Sequence, residues 1–227
     1  MLAIFNTVAD ATQAISRIIG AGIVPAALEM MDQGIIGALE EAFHFGFPLD
    51  AGAVLLIEVD GLDCVVEPEA GTITELCLAM GAREVRRSRT EEDRAFLWKC
   101  RKQAFGAVGR LAPSYCTQDG VVPRTALPEM LRSITAIGNK HQLRIANVFH
   151  AGDGNLHPIL LFDEATSALD SHTEKDIQEA ARALTGWTFG VRRAGRAPAW
   201  PRLQASGPER AWAATSWPFQ SGRWQTR

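Results

Sequence analysis

The residue types best suited to chemistry lie in one octet, His150-Ala151-Gly152-Asp153-Gly154-Asn155-Leu156-His157. Apolar stretches flank it on both sides, at 145–149 and 158–162. Its centre is rich in Gly, Asp and Asn, residues that accept positive φ at little cost, so the segment reads as a hairpin. Two histidines at the ends of a tight hairpin are predicted to sit opposite each other, with Cβ atoms about 4.5–5.5 Å apart. At that separation two imidazoles can grip one cation such as Zn²⁺, which takes nitrogen ligands at about 2.0–2.1 Å. A catalytic metal would also want a third protein ligand and an open position. The same spacing equally describes two histidines hydrogen-bonded at a hairpin tip, because a pair is not a complete ligand set. Arg101, between Lys99 and Lys102, reads by itself as a solvated helix arginine.

The surrounding pattern supplies the elements that would hold these groups. Strands are predicted over 2–6, 23–30, 54–59, 84–88, 121–123, 145–150 and 156–162, and helices over 9–19, 34–45, 73–80, 91–108 and 127–138. Thr90 is the expected N-cap of the long helix, with acids in its first turn. Strands separated by single helices, with one hairpin, predict an α+β fold: a ferredoxin-like α/β sandwich with an antiparallel sheet and its helices on one face.

Composition narrows the function classes. The 227 residues are 47% hydrophobic and 22% charged with a net charge of −3, which excludes disorder over the whole length and argues against general nucleic-acid binding. No apolar run reaches the 18 residues of a membrane span, and residues 1–6 lack a signal-peptide pattern. The four cysteines, Cys64, Cys77, Cys100 and Cys116, form no C-x-x-C pair, as expected of reduced thiols in the cytoplasm. Beyond Gly186 the character changes: seven arginines, one acid and five of the six tryptophans crowd into a stretch without periodicity. Residues 186–227 are expected to be a disordered Arg/Trp-rich tail, a segment not selected to fold, in preference to a basic aromatic binding arm.

The octet resembles the C-terminal domain of FAD-linked 2-hydroxy-acid oxidoreductases, the family of the glycolate oxidase D subunit and of D-lactate and D-2-hydroxyglutarate dehydrogenases. Four further stretches agree in order: Ala27-Leu28-Glu29-Met30-Met31-Asp32, Leu55-Leu56-Ile57-Glu58-Val59-Asp60-Gly61, Trp98-Lys99-Cys100-Arg101-Lys102-Gln103-Ala104-Phe105 and Gln118-Asp119-Gly120-Val121-Val122-Pro123-Arg124. The similarity spans about residues 1–163, a domain expected to be truncated at both ends. It implies a glycolate- or D-lactate-type substrate oxidised to a 2-oxo acid, with hydride passing to an FAD held mainly by a separate N-terminal domain. It implies His150 and His157 as ligands of a divalent metal such as Zn, Arg101 as the partner of the substrate carboxylate, and other subunits of a glycolate oxidase complex as partners. The family's downstream Glu-His-Gly motif, which gives a third ligand and a candidate general base, is absent from the sequence. No catalytic residue is therefore assigned, the chain alone is expected to be inactive, and Asp153 and Asn155 are expected only to shape the turn. Loss of strands beyond residue 162 is expected to leave an open sheet edge and poor solubility.

A second, shorter resemblance begins where the first stops. Residues 159–184 resemble the Walker B strand and D-loop of an ABC-transporter ATPase, which would give Asp163 to Mg²⁺ and Glu164 to the attacking water, with a helix over 173–184. No G-x-x-x-x-G-K-[ST] loop accompanies it. An ATPase fragment and a non-catalytic module that binds an intact flavoprotein remain the alternatives to the oxidoreductase.

Overall fold

The computed structural model describes residues 1–112, 114–162, 175 and 190–194. In chain order these form β1 (Leu2–Phe5), α1 (Val8–Gly20), β2 (Ala27–Asp32), α2 (Gln33–Phe43), β3 (Ala53–Glu58), α3 (Asp63–Ala79), β4 (Ala82–Arg86) and α4 (Glu91–Val108). Then follow β5 (Ser114–Val121), a 3₁₀ turn (Arg124–Ala126), α5 (Leu127–Lys140), β6 (Arg144–His150), β7 (Asn155–Phe162) and β8 (Gly190–Ala194).

All eight strands join one sheet in the order β4-β1-β3-β2-β6-β7-β5-β8, and every pairing is antiparallel. The order repeats. Strands β1–β4 run 4-1-3-2, the ferredoxin-like arrangement, and β5–β8 run 8-5-7-6, the same pattern. The α+β fold expected from the sequence is thus present, and its strand order occurs twice, side by side. The halves are joined where Glu29, Met30 and Met31 of β2 pair with His150, Phe149 and Val148 of β6.

Helices cover both faces, which corrects the expectation of a single covered face. On one side Ile15 and Ile18 of α1, Ile73 of α3, and Met130 and Ile134 of α5 pack over Ala3, Phe5, Leu55, Phe149 and Leu160. On the other, Ile35 and Leu39 of α2 and Cys100 and Ala104 of α4 pack over Leu2, Ile4, Val54, Val148 and Ile159. The physical reason is the unbroken burial of Leu2-Ala3-Ile4-Phe5 in β1 and of 53–57 in β3. A strand apolar at every position must be covered twice. Each fully buried Leu or Ile contributes about 1.5–3 kcal/mol.

Element ends depart from expectation where local signals conflict. Helix α3 starts at Asp63 and runs through Pro68, whose presence with Gly71 masks the period. Strand β5 takes in the polar run from Ser114, because β7 pairs it on one side and β8 on the other. Its neighbours, not its own pattern, make it a strand. Strand β7 is consequently interior, so no open edge lies there; the sheet ends in β4 and β8. Gly190–Ala194, expected within the disordered tail, forms β8, and the rest of 186–227 lies outside the described residues.

Candidate active site

The site is built on the sheet face that α2 and α4 cover. Side chains alternate faces along a strand, so Glu29 lies with Met31, His150 with Val148, and His157 with Ile159, all directed to that face. Helix α4 crosses it, held at its start by the capping box of Thr90 and Asp93 and by Glu91 and Glu92 in the first turn. Spacings of four, three and four residues put Arg94, Trp98, Arg101 and Phe105 on one side of α4. Each meets a partner on the sheet. Arg94 and Trp98 bond Glu58, Arg101 bonds Glu29, and the Phe105 ring lies edge-on to His157, centroids 5.9 Å apart.

The hairpin brings the two histidines together, but not directly opposite. His150 pairs with Asn155, while His157 pairs with Val148, so the rings are diagonal neighbours. Diagonal positions remain within reach of aromatic side chains, and the ring centroids are 5.4 Å apart at 85°. The turn is tied from three directions. Gly154 N–H donates to His150 O at 3.1 Å, Gly152 N–H to Leu28 O at 3.1 Å, and Arg124 to Gly152 O at 3.2 Å. Gly154 has φ +79°, and a Cβ there would stand 2.0 Å from Val122 O, so only glycine fits. Asp153 Oδ1 accepts from Asn155 N–H at 2.9 Å, the turn-shaping role expected of these residues. The Asn155 Oδ1 atom is buried with no hydrogen-bond partner among the described residues.

Glu29 is the hub. One oxygen takes His150 Nδ1 at 2.6 Å and the other takes Arg101 Nε at 2.9 Å and Nη2 at 2.8 Å. Burial would raise the Glu29 carboxyl, but the bonds from His150 and Arg101 outweigh it and hold it below the ordinary value. The bond to Glu29 raises His150, against a smaller effect of burial. Burial lowers His157, although Asp119 lies 3.4 Å from its Nδ1. The arrangement therefore favours a charged His150 beside a neutral His157.

Arg101, read from spacing as a solvated arginine, is 6% exposed. The hub residue Glu29 and the His157 neighbour Asp119 were not singled out by sequence reasoning. Glu29 did carry a signal, as a lone charge inside the otherwise apolar stretch 28–31. As ligands, the two imidazoles fit a borderline metal: each has its Nδ1 against a carboxylate, which leaves Nε2 as the donor atom. They supply two donors only. Among the described residues no group of three or more His, Cys, Asp or Glu side chains could hold a metal ion.

The FAD linked oxidases, C-terminal domain family matches residues 1–188. The chain belongs to that family. Glycolate oxidase subunit GlcD of Escherichia coli (strain K12) is 46% identical over 163 residues, covering 72% of this chain and 33% of that protein. The probable mitochondrial D-lactate dehydrogenase of Danio rerio is 28% identical over 195 residues, covering 82% of this chain and 38% of the other. The chain thus spans about a third of the length of these curated relatives. The 4-ethylphenol oxidase of Gulosibacter chungangensis shares the fold, with a TM-score of 0.52 at 18% identity, over 80% of this chain and 43% of that one.

The family match runs across residues 159–184, where the ABC-transporter resemblance was expected. Residues 159–162 belong to β7 and pair with β5 and β6 of this domain's own sheet. Nothing supports the ATPase reading, and Asp163, Glu164 and the helix expected over 173–184 lie outside the described residues, apart from a helical Lys175.

Proposed function

We propose that the chain contributes the substrate side of an FAD-dependent 2-hydroxy-acid oxidoreductase that converts glycolate or D-lactate to the 2-oxo acid. The observation that carries this reading is the Arg101–Glu29–His150 array with His157 at 5.4 Å between ring centroids, in a chain of the FAD-linked oxidase family. FAD, held mainly by a domain outside this chain, supplies the two-electron acceptor when bound.

Within the array each residue has a distinct task. Arg101 spends Nε and Nη2 on Glu29, so a substrate carboxylate would meet the Nη1 side of the guanidinium. His150 and His157 would hold a divalent ion such as Zn²⁺ through Nε2, and such an ion lowers the pKa of a bound hydroxyl. Phe105 packs edge-on against His157 and supports that ring. We infer a cytoplasmic setting, supported by four cysteines without a disulfide and by described residues that include no helix long and apolar enough to cross a membrane. Partner subunits are inferred only from the printed name of the glycolate oxidase relative.

Calorimetric titration of the chain with glycolate and with D-lactate, with and without Zn²⁺, tests the reading. Saturable binding of one acid that is lost in Arg101→Met is expected. Binding of neither acid under any of these conditions would overturn it.

A further inference from the structure

Glu29 stands directly opposite His150 in the central β2–β6 pair, and with Asp32 it is one of two acids buried among the described residues, 7% exposed. A carboxylate in that position needs a reason. Were its purpose only to pair Arg101, a well-packed apolar pair of similar volume would serve stability as well or better. Its two oxygens instead serve two different elements: one is fully occupied by Arg101 of α4, the other by His150 of β6. The imidazole it holds is the more accessible of the two, its side chain 42% exposed. A buried ion pair is thus coupled by a 2.6 Å bond to a ring at the surface of the site.

We propose that Glu29 is the positioning residue of this site, accepting a hydrogen bond from Nδ1–H of His150 while anchoring Arg101 with its other oxygen. This rests on the reading of His150 as a ligand and deepens it. An ionised carboxylate can only accept, so the ring nitrogen facing it carries a proton, and whenever the ring is neutral the lone pair is then on Nε2. Free imidazole prefers the opposite tautomer, so the bond selects the form that can coordinate a cation. Arg101 keeps the carboxylate ionised and immobile, since Nε and Nη2 converge on one oxygen at 2.9 and 2.8 Å. The side chain length matters too: the register already sets Glu29 and His150 face to face, and the same carboxylate must reach α4 above the sheet. His157 has no equal clamp, its Nδ1 lying 3.4 Å from Asp119.

The test reads tautomer and metal affinity separately, on the 227-residue chain. Long-range ¹⁵N–¹H correlation of the metal-free protein, at a pH where the rings are neutral, is expected to show His150 protonated at Nδ1. Glu29→Gln, whose amide can donate to Nδ1, is expected to move it toward the Nε2–H form. Zn²⁺ affinity measured by calorimetry is expected to fall about 10- to 100-fold in Glu29→Gln, with part of the loss recovered in Glu29→Asp. An Nε2–H ring in the wild-type chain overturns the proposal, whether or not any variant folds. Unchanged tautomer and unchanged Zn²⁺ affinity in Glu29→Gln overturn it as well. A tautomer shift without Zn²⁺ binding in either chain upholds the positioning role of Glu29 and discards the metal reading instead.

Discussion

Arg101 of α4 and Glu29 of β2 form an ion pair in which Nε and Nη2 of the guanidinium both lie on one carboxylate oxygen, with the two residues 6% and 7% exposed. Charges this deep repay their desolvation only while both partners are present. Removing one leaves the other buried and uncompensated, at a cost of about 3–5 kcal/mol. Arg101→Met is expected to lose stability on that scale in urea unfolding. The double variant Glu29→Leu with Arg101→Met is expected to lose well under the sum of the two single losses, so a strictly additive cycle would contradict the pairing.

The two histidines are expected to titrate on opposite sides of the ordinary imidazole value of 6.5, His150 above it and His157 below. The bond between His150 and Glu29 contributes fully below pH 6.5 and fades as pH rises through the raised value of His150. The lowered value of Glu29 makes its contribution complete above pH 4.5 and lost as pH falls through that lowered value. The stability difference between the wild-type chain and Glu29→Gln should therefore be greatest between pH 4.5 and 6.5. Imidazole chemical shifts followed against pH check the first statement, and thermal melts across the same range check the second.

Gly154→Ala is expected to damage the fold and the site together. Left-handed backbone at a non-glycine residue costs about 1–3 kcal/mol, and the added methyl would also meet Val122 O at 2.0 Å. The hairpin must shift to relieve that contact, separating His150 from His157. Loss of the cross-ring NOE between them, together with a lowered melting temperature, is the expected result.

Asp32 caps α2 through Ile35 N–H at 3.1 Å and accepts from both Asn147 nitrogens, at 2.6 and 2.9 Å. Asp32→Ala is expected to cost about 2–4 kcal/mol, the loss of a cap plus buried donors left without an acceptor. Burial pushes the Asp32 carboxyl from 3.8 up to about 6, against those bonds. The folded chain then holds more protons than the unfolded one in that window, so this residue makes stability fall as pH rises from 3.8 to about 6. The slope should flatten in Asp32→Asn, measured by denaturant midpoints at successive pH values.

Much of the fold was legible because the deciding interactions are local. The span of α4 follows from Thr90, its acids and the apolar spacing through Val108, and the hairpin follows from the glycines between two apolar runs. Strand β5 was mostly hidden, since a polar run such as 114–120 becomes a strand only when β7 and β8 flank it. The second covered sheet face was written in β1 and β3, whose uninterrupted apolar residues demand cover on both sides. The octet named two histidines whose rings the structure brings within 5.4 Å, but its spacing did not distinguish opposed from diagonal rings. That depended on where the turn closes, at the pairing of His150 with Asn155.

By itself the sequence determined the alternation of strands and helices, the tight hairpin between His150 and His157, and membership in a family recognised by ordered short motifs. These depend on residues a few positions apart, where side-chain period and turn chemistry act directly. Only the tertiary structure decided that Arg101 is buried and that Glu29 joins it to His150. Those contacts span 72 and 121 residues, and no local pattern encodes them. They arise because strand register sets Glu29 opposite His150 and because the packing of α4 lowers a guanidinium onto the same carboxylate.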